Sequence, residues 1–161
     1  MGDPSIAELE SWSEKHWETT QKLITLGDDW SVVTGFYSCY HLLRAAMLKD
    51  PLFDDLPRLS VVHHSLRTED RRETKHSKGG LNKPELGMKE ICTLVYPHAS
   101  GKYYLAHDAS NGVRYDGGLP RHIHSVSAAL GYSEFFRDAY YSGHLDHDRS
   151  LAIKASSAGK K

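Results

Sequence analysis

From Asp29 to Lys49 the alternation of apolar and polar positions has the period of a helix. Val33, Phe36, Tyr40, Leu43 and Met47 recur at three- and four-residue steps and define one face. Leu42, Ala45 and Ala46 fill the flanks, so this helix is apolar around most of its girth and requires other helices around it. One narrow polar line interrupts it: Tyr37, His41 and Arg44. A buried His and Arg need partners, because an unpaired charge away from water is expensive.

The elements on either side follow from local signals. Ser5 and Glu8 have the spacing of a capping box. The helix they open carries Leu9, Trp12, His16, Leu23 and Leu26 close to one stripe, and Gly27 is a natural stop. Asp28 or Asp29 caps the next helix, which makes the first fifty residues a helical hairpin with a short turn. Pro51 and Pro57 predict a loop, and Arg58 to Leu66 a short helix with His63 and His64. Residues 67–80 are strongly charged, and Gly79, Gly80 and Pro84 mark a loop. Further helices are expected over Glu85 to Tyr96, Lys102 to Tyr115 and about His124 to Tyr141, the last divided at Gly131. Strand signals are weak and no repeat is found. The expectation is an all-α chain, a single up-and-down bundle of four to six helices over residues 1–143, with 144–161 a poorly ordered tail.

Composition changes this picture little. Lys plus Arg number 20 against 21 for Asp plus Glu, so any basic surface must be local. The 11 histidines are the unusual feature, since an unperturbed imidazole changes charge near neutral pH and the net charge can drift positive in mild acid. Cys39 and Cys92 lie within apolar helical patterns and read as buried free thiols. No apolar run approaches the roughly 20 residues of a membrane span, and the first residues show no signal peptide, so a cytoplasmic location without membrane association is the default.

Three patches carry a resemblance. The run Phe36-Tyr37-Ser38-Cys39-Tyr40-His41-Leu42-Leu43-Arg44-Ala45-Ala46 resembles the second helix of HEPN-type proteins, with its aromatic pair, His and Arg-Ala. Lys75-His76-Ser77, with Gly79 and Gly80 following, is similar to an element after that helix in the nucleotidyltransferase-partnered branch. Arg114-Tyr115-Asp116 resembles a late part of the same fold. The patches fall within residues 5–135. The resemblance implies a four- or five-helix bundle that commonly forms a homodimer. It also implies a role as ribonuclease, RNA-binding module, or toxin or antitoxin component of a bacterial stress or defence system. Nucleolytic members use an Arg followed four to six residues later by a His, and Arg71 and His76 have that spacing. The chain departs from the pattern in placing Arg72 after that Arg, and His122 lies too far beyond Arg114 to form such a pair.

Arg71 and His76 suit metal-independent RNA cleavage. An imidazole moves the proton of a ribose 2′-hydroxyl and a guanidinium holds the phosphate. The competing reading is a solvated charged loop. Tyr37, His41 and Arg44, with Arg114 and Tyr115 joining from a later helix, form either a phosphate-reading groove or a structural network closed by a carboxylate such as Asp108. Arg71, Arg72, Lys75, Lys78 and Lys83 form a local basic cluster, suited to a nucleic-acid backbone or simply a surface patch. His122, His124, His144 and His147 match no strong metal signature, and no metal or cofactor is expected. RNA, or a protein partner such as an antitoxin, is the expected ligand. A non-catalytic dimeric interaction module and a metal- or small-ligand-binding bundle are the alternatives.

Overall fold

The computed structural model describes residues 2–160, and all regular structure among them is helical. In chain order the helices are α1 (Ile6–Thr25), α2 (Trp30–Lys49), α3 (Leu56–Val62), α4 (Met88–Val95), α5 (Ser100–Asn111), α6 (Val126–Tyr141) and α7 (His147–Ala158). Short 3-10 turns span Pro51–Asp54 and Thr68–Arg72, and a π turn over Gly112–Asp116 prolongs α5. The all-α class stands. The count of seven α-helices exceeds the four to six expected.

α1 and α2 form the hairpin read from the sequence. The Glu8 N–H donates to the Ser5 hydroxyl at 3.2 Å, and the Ser5 N–H to the Glu8 carboxylate at 2.8 Å. Gly27, at φ 66°, makes the turn in the left-handed region. Asp28 rather than Asp29 then serves the next helix, accepting the Trp30 N–H at 2.9 Å. α2 is the centre of the fold, packed by α1, α5 and α6. Phe36, Cys39, Leu42, Leu43, Ala45 and Met47 are wholly buried on it.

Only part of the apolar stripe expected on α1 meets α2. Leu26 is 77 % exposed and Trp12 lies at the edge, and the buried face of α1 carries Leu9, Ser13 and Thr20. Two hydroxyl pairs also cross the interface, Ser13 with Ser38 at 2.8 Å and Thr20 with Thr34 at 2.7 Å. Arg137 of α6 inserts above them. Its guanidinium donates to Ser13 at 3.0 Å, to Ser38, and to the Glu14 carboxylate at 2.8 Å, and lies 4.6 Å over the Trp17 ring.

Several boundaries differ from expectation. The short third helix starts earlier, at Leu56, and ends at Val62. α4 begins at Met88, and α6 runs unbroken through Gly131, where an added Cβ would meet nothing within 4 Å. The segment expected to fray after residue 143 forms α7. Polar groups anchor it, which is why apolar periodicity did not announce it. The buried Asp50 carboxylate accepts the N–H groups of Leu52 and His147, each at 2.9 Å. Nδ1 of His147 donates to the Val95 carbonyl at 2.8 Å, and the Ser150 hydroxyl accepts the His98 N–H at 3.0 Å. Leu145 adds an apolar contact to the core just ahead of the helix.

Both cysteines are free and buried; burial pushes the Cys39 thiol up to about 12 and the Cys92 thiol further in the same direction.

Asp50 thus joins the 3-10 turn after α2 to the start of α7. Asp50→Ala leaves two N–H groups without their acceptor and is expected to destabilise the fold by about 1–3 kcal/mol. Hydrogen exchange checks the localisation: amides of α7 should exchange faster, while those of α2 in the hairpin should change only with global stability.

Candidate functional site

The polar line on α2 faces the side of the hairpin where α1, α5 and the loop before α4 meet. His16 of α1 stacks on both Tyr37 and His41, with ring centroids 5.6 and 5.3 Å apart, and Trp12 meets His41 edge-on at 5.5 Å. Tyr40 touches His41 on one side and His76 on the other, at 5.2 and 5.1 Å. His76 continues to His107 of α5 at 4.9 Å, and Phe36 lies against both imidazoles. Four histidines from four segments therefore share one aromatic cluster.

The loop that brings His76 here is tied down by backbone bonds. The carbonyls of Lys75 and His76 accept the N–H groups of Met88 and Lys89, at 2.8 and 2.9 Å, in the first turn of α4. Ser77 donates to the buried Glu90 carboxylate, which also accepts the Gly87 N–H at 2.9 Å. Gly87 is required by this close approach, since a Cβ there would lie 2.5 Å from Cα of Ser77. The Tyr40 hydroxyl donates to the Thr74 carbonyl at 3.1 Å and adds a link from α2.

Arg114 joins this cluster from the next segment. It lies in the π turn after α5, where Gly112 packs against Gly118 and Pro120 so tightly that a Cβ would sit 2.5 Å from the Gly118 carbonyl oxygen. From there Nη1 donates to the Tyr37 hydroxyl at 2.9 Å and Nη2 to the Tyr115 hydroxyl at 2.5 Å. Tyr115 is 70 % exposed. Lys89 lies 3.4 Å from the Tyr104 ring centroid and 3.7 Å from Asp108, which also faces His122 at 3.7 Å.

Burial lowers the proton affinity of all four clustered imidazoles. His41 is pulled down to about 4, with the charges of His16 and Arg44 acting the same way. His107 is pulled down to about 3, with Lys89, His76 and Arg114 adding to burial. His16 is lowered by burial, and His76 by burial and then by the charges of Arg114 and Lys89. At neutral pH the cluster is a set of neutral imidazoles beside cationic groups. Nδ1 of His41 and of His76 are buried without a hydrogen-bond partner.

The structure assembles some of the expected site residues and separates others. Tyr37, His41 and Arg114 meet as above, and Arg44 lies 5.6 Å from the Tyr40 ring centroid at the far end of the line. Asp108, expected to close a structural network with that line, pairs with Lys89 and His122 instead. Arg71 does not join His76. Its guanidinium is held by the Asp54 carboxylate at 2.6 Å and the Asp50 carbonyl at 3.3 Å. Arg72 pairs with Asp3 at 3.3 Å, Lys78 pairs with Glu73 at 2.6 Å, and Lys75 is exposed. Arg71, Arg72 and Lys78 of this stretch are therefore each engaged by a carboxylate, and none of them joins His76. Among the described residues no three His, Cys, Asp or Glu side chains group so as to hold a metal ion, and no helix is long and apolar enough to cross a membrane.

His16 and His107 belong to this cluster, with Lys89 beside it, and none of them was singled out from the sequence. His16 had a usable signal, since residues about equally far on either side of the Gly27 turn face each other in a hairpin. His107 had none, because its meeting with His76 depends on how α5 and a long loop pack.

Comparison with known protein families, curated proteins and solved structures finds no match to this chain.

The histidine cluster sets a pH dependence. Each imidazole binds a proton less readily folded than unfolded, so the unfolded chain takes up more protons as pH falls. The stabilisation is complete above about pH 6.5 and is lost on acidification, down to about 4 for His41 and about 3 for His107. The thermal unfolding midpoint should fall by several degrees between pH 7 and pH 5. His41→Gln combined with His107→Gln should flatten that profile; an unchanged slope in the double variant would remove the cluster as its cause.

Proposed function

We propose that this chain is an HEPN-like, RNA-directed protein of a bacterial toxin–antitoxin or defence system, acting as a metal-independent ribonuclease. The observation that supports this is convergence. Three sequence patches far apart in the chain, around Tyr37–Arg44, Lys75–Ser77 and Arg114–Asp116, come together through the Arg114–Tyr37 hydrogen bond and the Tyr40–His76 contact. They are the patches that carry the resemblance. The up-and-down bundle of that family is then the core of this fold, with α3 and α7 as additions, and a homodimer is its working form.

In this reading His76 is the general base and Arg114 the phosphate clamp, in place of Arg71, which Asp54 engages. His76 accepts the proton of a ribose 2′-hydroxyl as its oxygen bonds to phosphorus. The bond from phosphorus to the 5′-oxygen breaks and the departing oxygen takes a proton from water, leaving a cyclic phosphate, a 5′-hydroxyl and a hydroxide that the proton held on His76 neutralises. Arg114 stabilises the charge that accumulates on the phosphoryl oxygens. The depressed proton affinity of His76 keeps it unprotonated at neutral pH, as a base must be, at the expense of basicity. A catalytically lapsed RNA binder uses the same cluster without the proton transfer. A second reading, a non-catalytic dimeric interaction module, draws on Trp12, which is 37 % exposed beside His41.

RNA cleavage and binding assays test these readings. His76→Ala and Arg114→Gln should each lower cleavage roughly a hundredfold or more. Arg71→Ala should leave cleavage near wild type once its effect on stability is accounted for. For a lapsed binder, Arg114→Gln weakens salt-sensitive RNA binding and no protein cleaves. Cleavage or binding that survives both cluster variants would reject the site.

A further inference from the structure

At the end of the polar line remote from Arg114, three arginines line one crevice. Arg44 comes from α2, and Arg71 and Arg72 come from the 3-10 turn Thr68–Arg72; Leu48, Asp3 and Pro4 complete the lining. Three arginines and one carboxylate line it, in a chain whose overall net charge is −1. Arginine stays charged at any physiological pH, so their mutual repulsion cannot be relieved by losing a proton.

The three cations are unequally satisfied. Arg71 is anchored from outside the crevice by Asp54 and the Asp50 carbonyl, yet its Nε is buried without a partner. Arg72 has only the exposed Asp3 carboxylate, 3.3 Å from Nε. Arg44 forms no ion pair among the described residues and lies against the Tyr40 ring. Asp3 is thus the one acidic group of the lining.

We propose that the Arg44–Arg71–Arg72 crevice is a binding site for a phosphate group, and that Asp3 occupies the place of that anion until it is displaced. The guanidinium fork matches the tetrahedral oxyanion and offers it paired N–H donors. As it stands the crevice encloses about 10 Å³, room for about one water. The wall that must yield is the segment before Ser5. The capping box holds the start of α1 in place, so Asp3 and Pro4 move without disturbing the helix. The site does not depend on the RNA reading. Its phosphate comes either from a free or terminal phosphate or from a polynucleotide backbone.

Titration of the full chain with inorganic phosphate, followed by amide chemical shifts and the thermal midpoint, tests the site against sodium chloride at matched ionic strength. Phosphate should bind saturably, with shifts centred on residues 3–5, Arg44 and 71–72. Asp3→Asn removes the internal competitor and should tighten binding several-fold; Arg44→Gln should weaken it about tenfold. A short RNA with diester linkages and no terminal phosphate separates the sources. If it competes with phosphate, the backbone is the ligand; if phosphate binds and the RNA does not compete, the ligand is a free or terminal phosphate. Affinity that is unchanged in Asp3→Asn, or absence of saturable binding, overturns the proposal. His76→Ala should leave phosphate affinity unchanged, so the cleavage mechanism and this site fail independently.

Discussion

The burial of one guanidinium governs the arrangement of the three long helices. Arg137 is 8 % exposed, and a charge so placed is tolerated only when its donors are matched. Two serine hydroxyls and the Glu14 carboxylate match them, and they come from both arms of the hairpin. A slide of α1 against α2 would part Ser13 from Ser38 and strand the Arg137 donors. The apolar face of α2 gives collapse without alignment, since a greasy surface packs in many registers. The clamp selects one of them, a use of buried polarity that sets geometry more than it adds net stability.

That register decides what the aromatic cluster contains. With Ser13 opposite Ser38 and Thr20 opposite Thr34, His16 falls against Tyr37 and His41. The π turn performs the matching task on the other wall. It widens the last turn of α5, and Arg114 then reaches Tyr37. Between Arg114 and the three-arginine crevice lies a band of imidazoles that burial keeps neutral. From Tyr37 to Arg44 the helix rises roughly 10 Å, so the cationic ends are separated by a stretch of aromatic and imidazole faces.

The hairpin was legible because its signals are local. The Ser5–Glu8 box, Gly27 and the apolar periodicity of α2 each act within a few residues. The link between Tyr37 and Arg114 was partly legible, since a polar line on a buried helix demands a partner. Its identity was suggested by the Arg114-Tyr115-Asp116 patch that carries the resemblance. α7 was not legible. Its anchors are a carboxylate at residue 50, a carbonyl at residue 95 and a backbone N–H at residue 98, which leave no periodic trace. Arg71 shows the limit of spacing arguments. Five residues separate it from His76, yet the chain turns between them, and Arg71 is drawn back to Asp54 while His76 goes inward. Sequence distance predicts encounter along a helix, and this stretch is not one.

The two sulfhydryls bear on a different question. Cys39 and Cys92 are sealed in the interior, and the anionic form that reacts with oxidants is suppressed. The folded chain would pass unaltered through glutathione-rich and oxidising surroundings alike, and a thiol-alkylating reagent would label it only as fast as it opens. Its cysteine content therefore carries no information about the compartment in which it works, and the rate of alkylation becomes a clock for global unfolding.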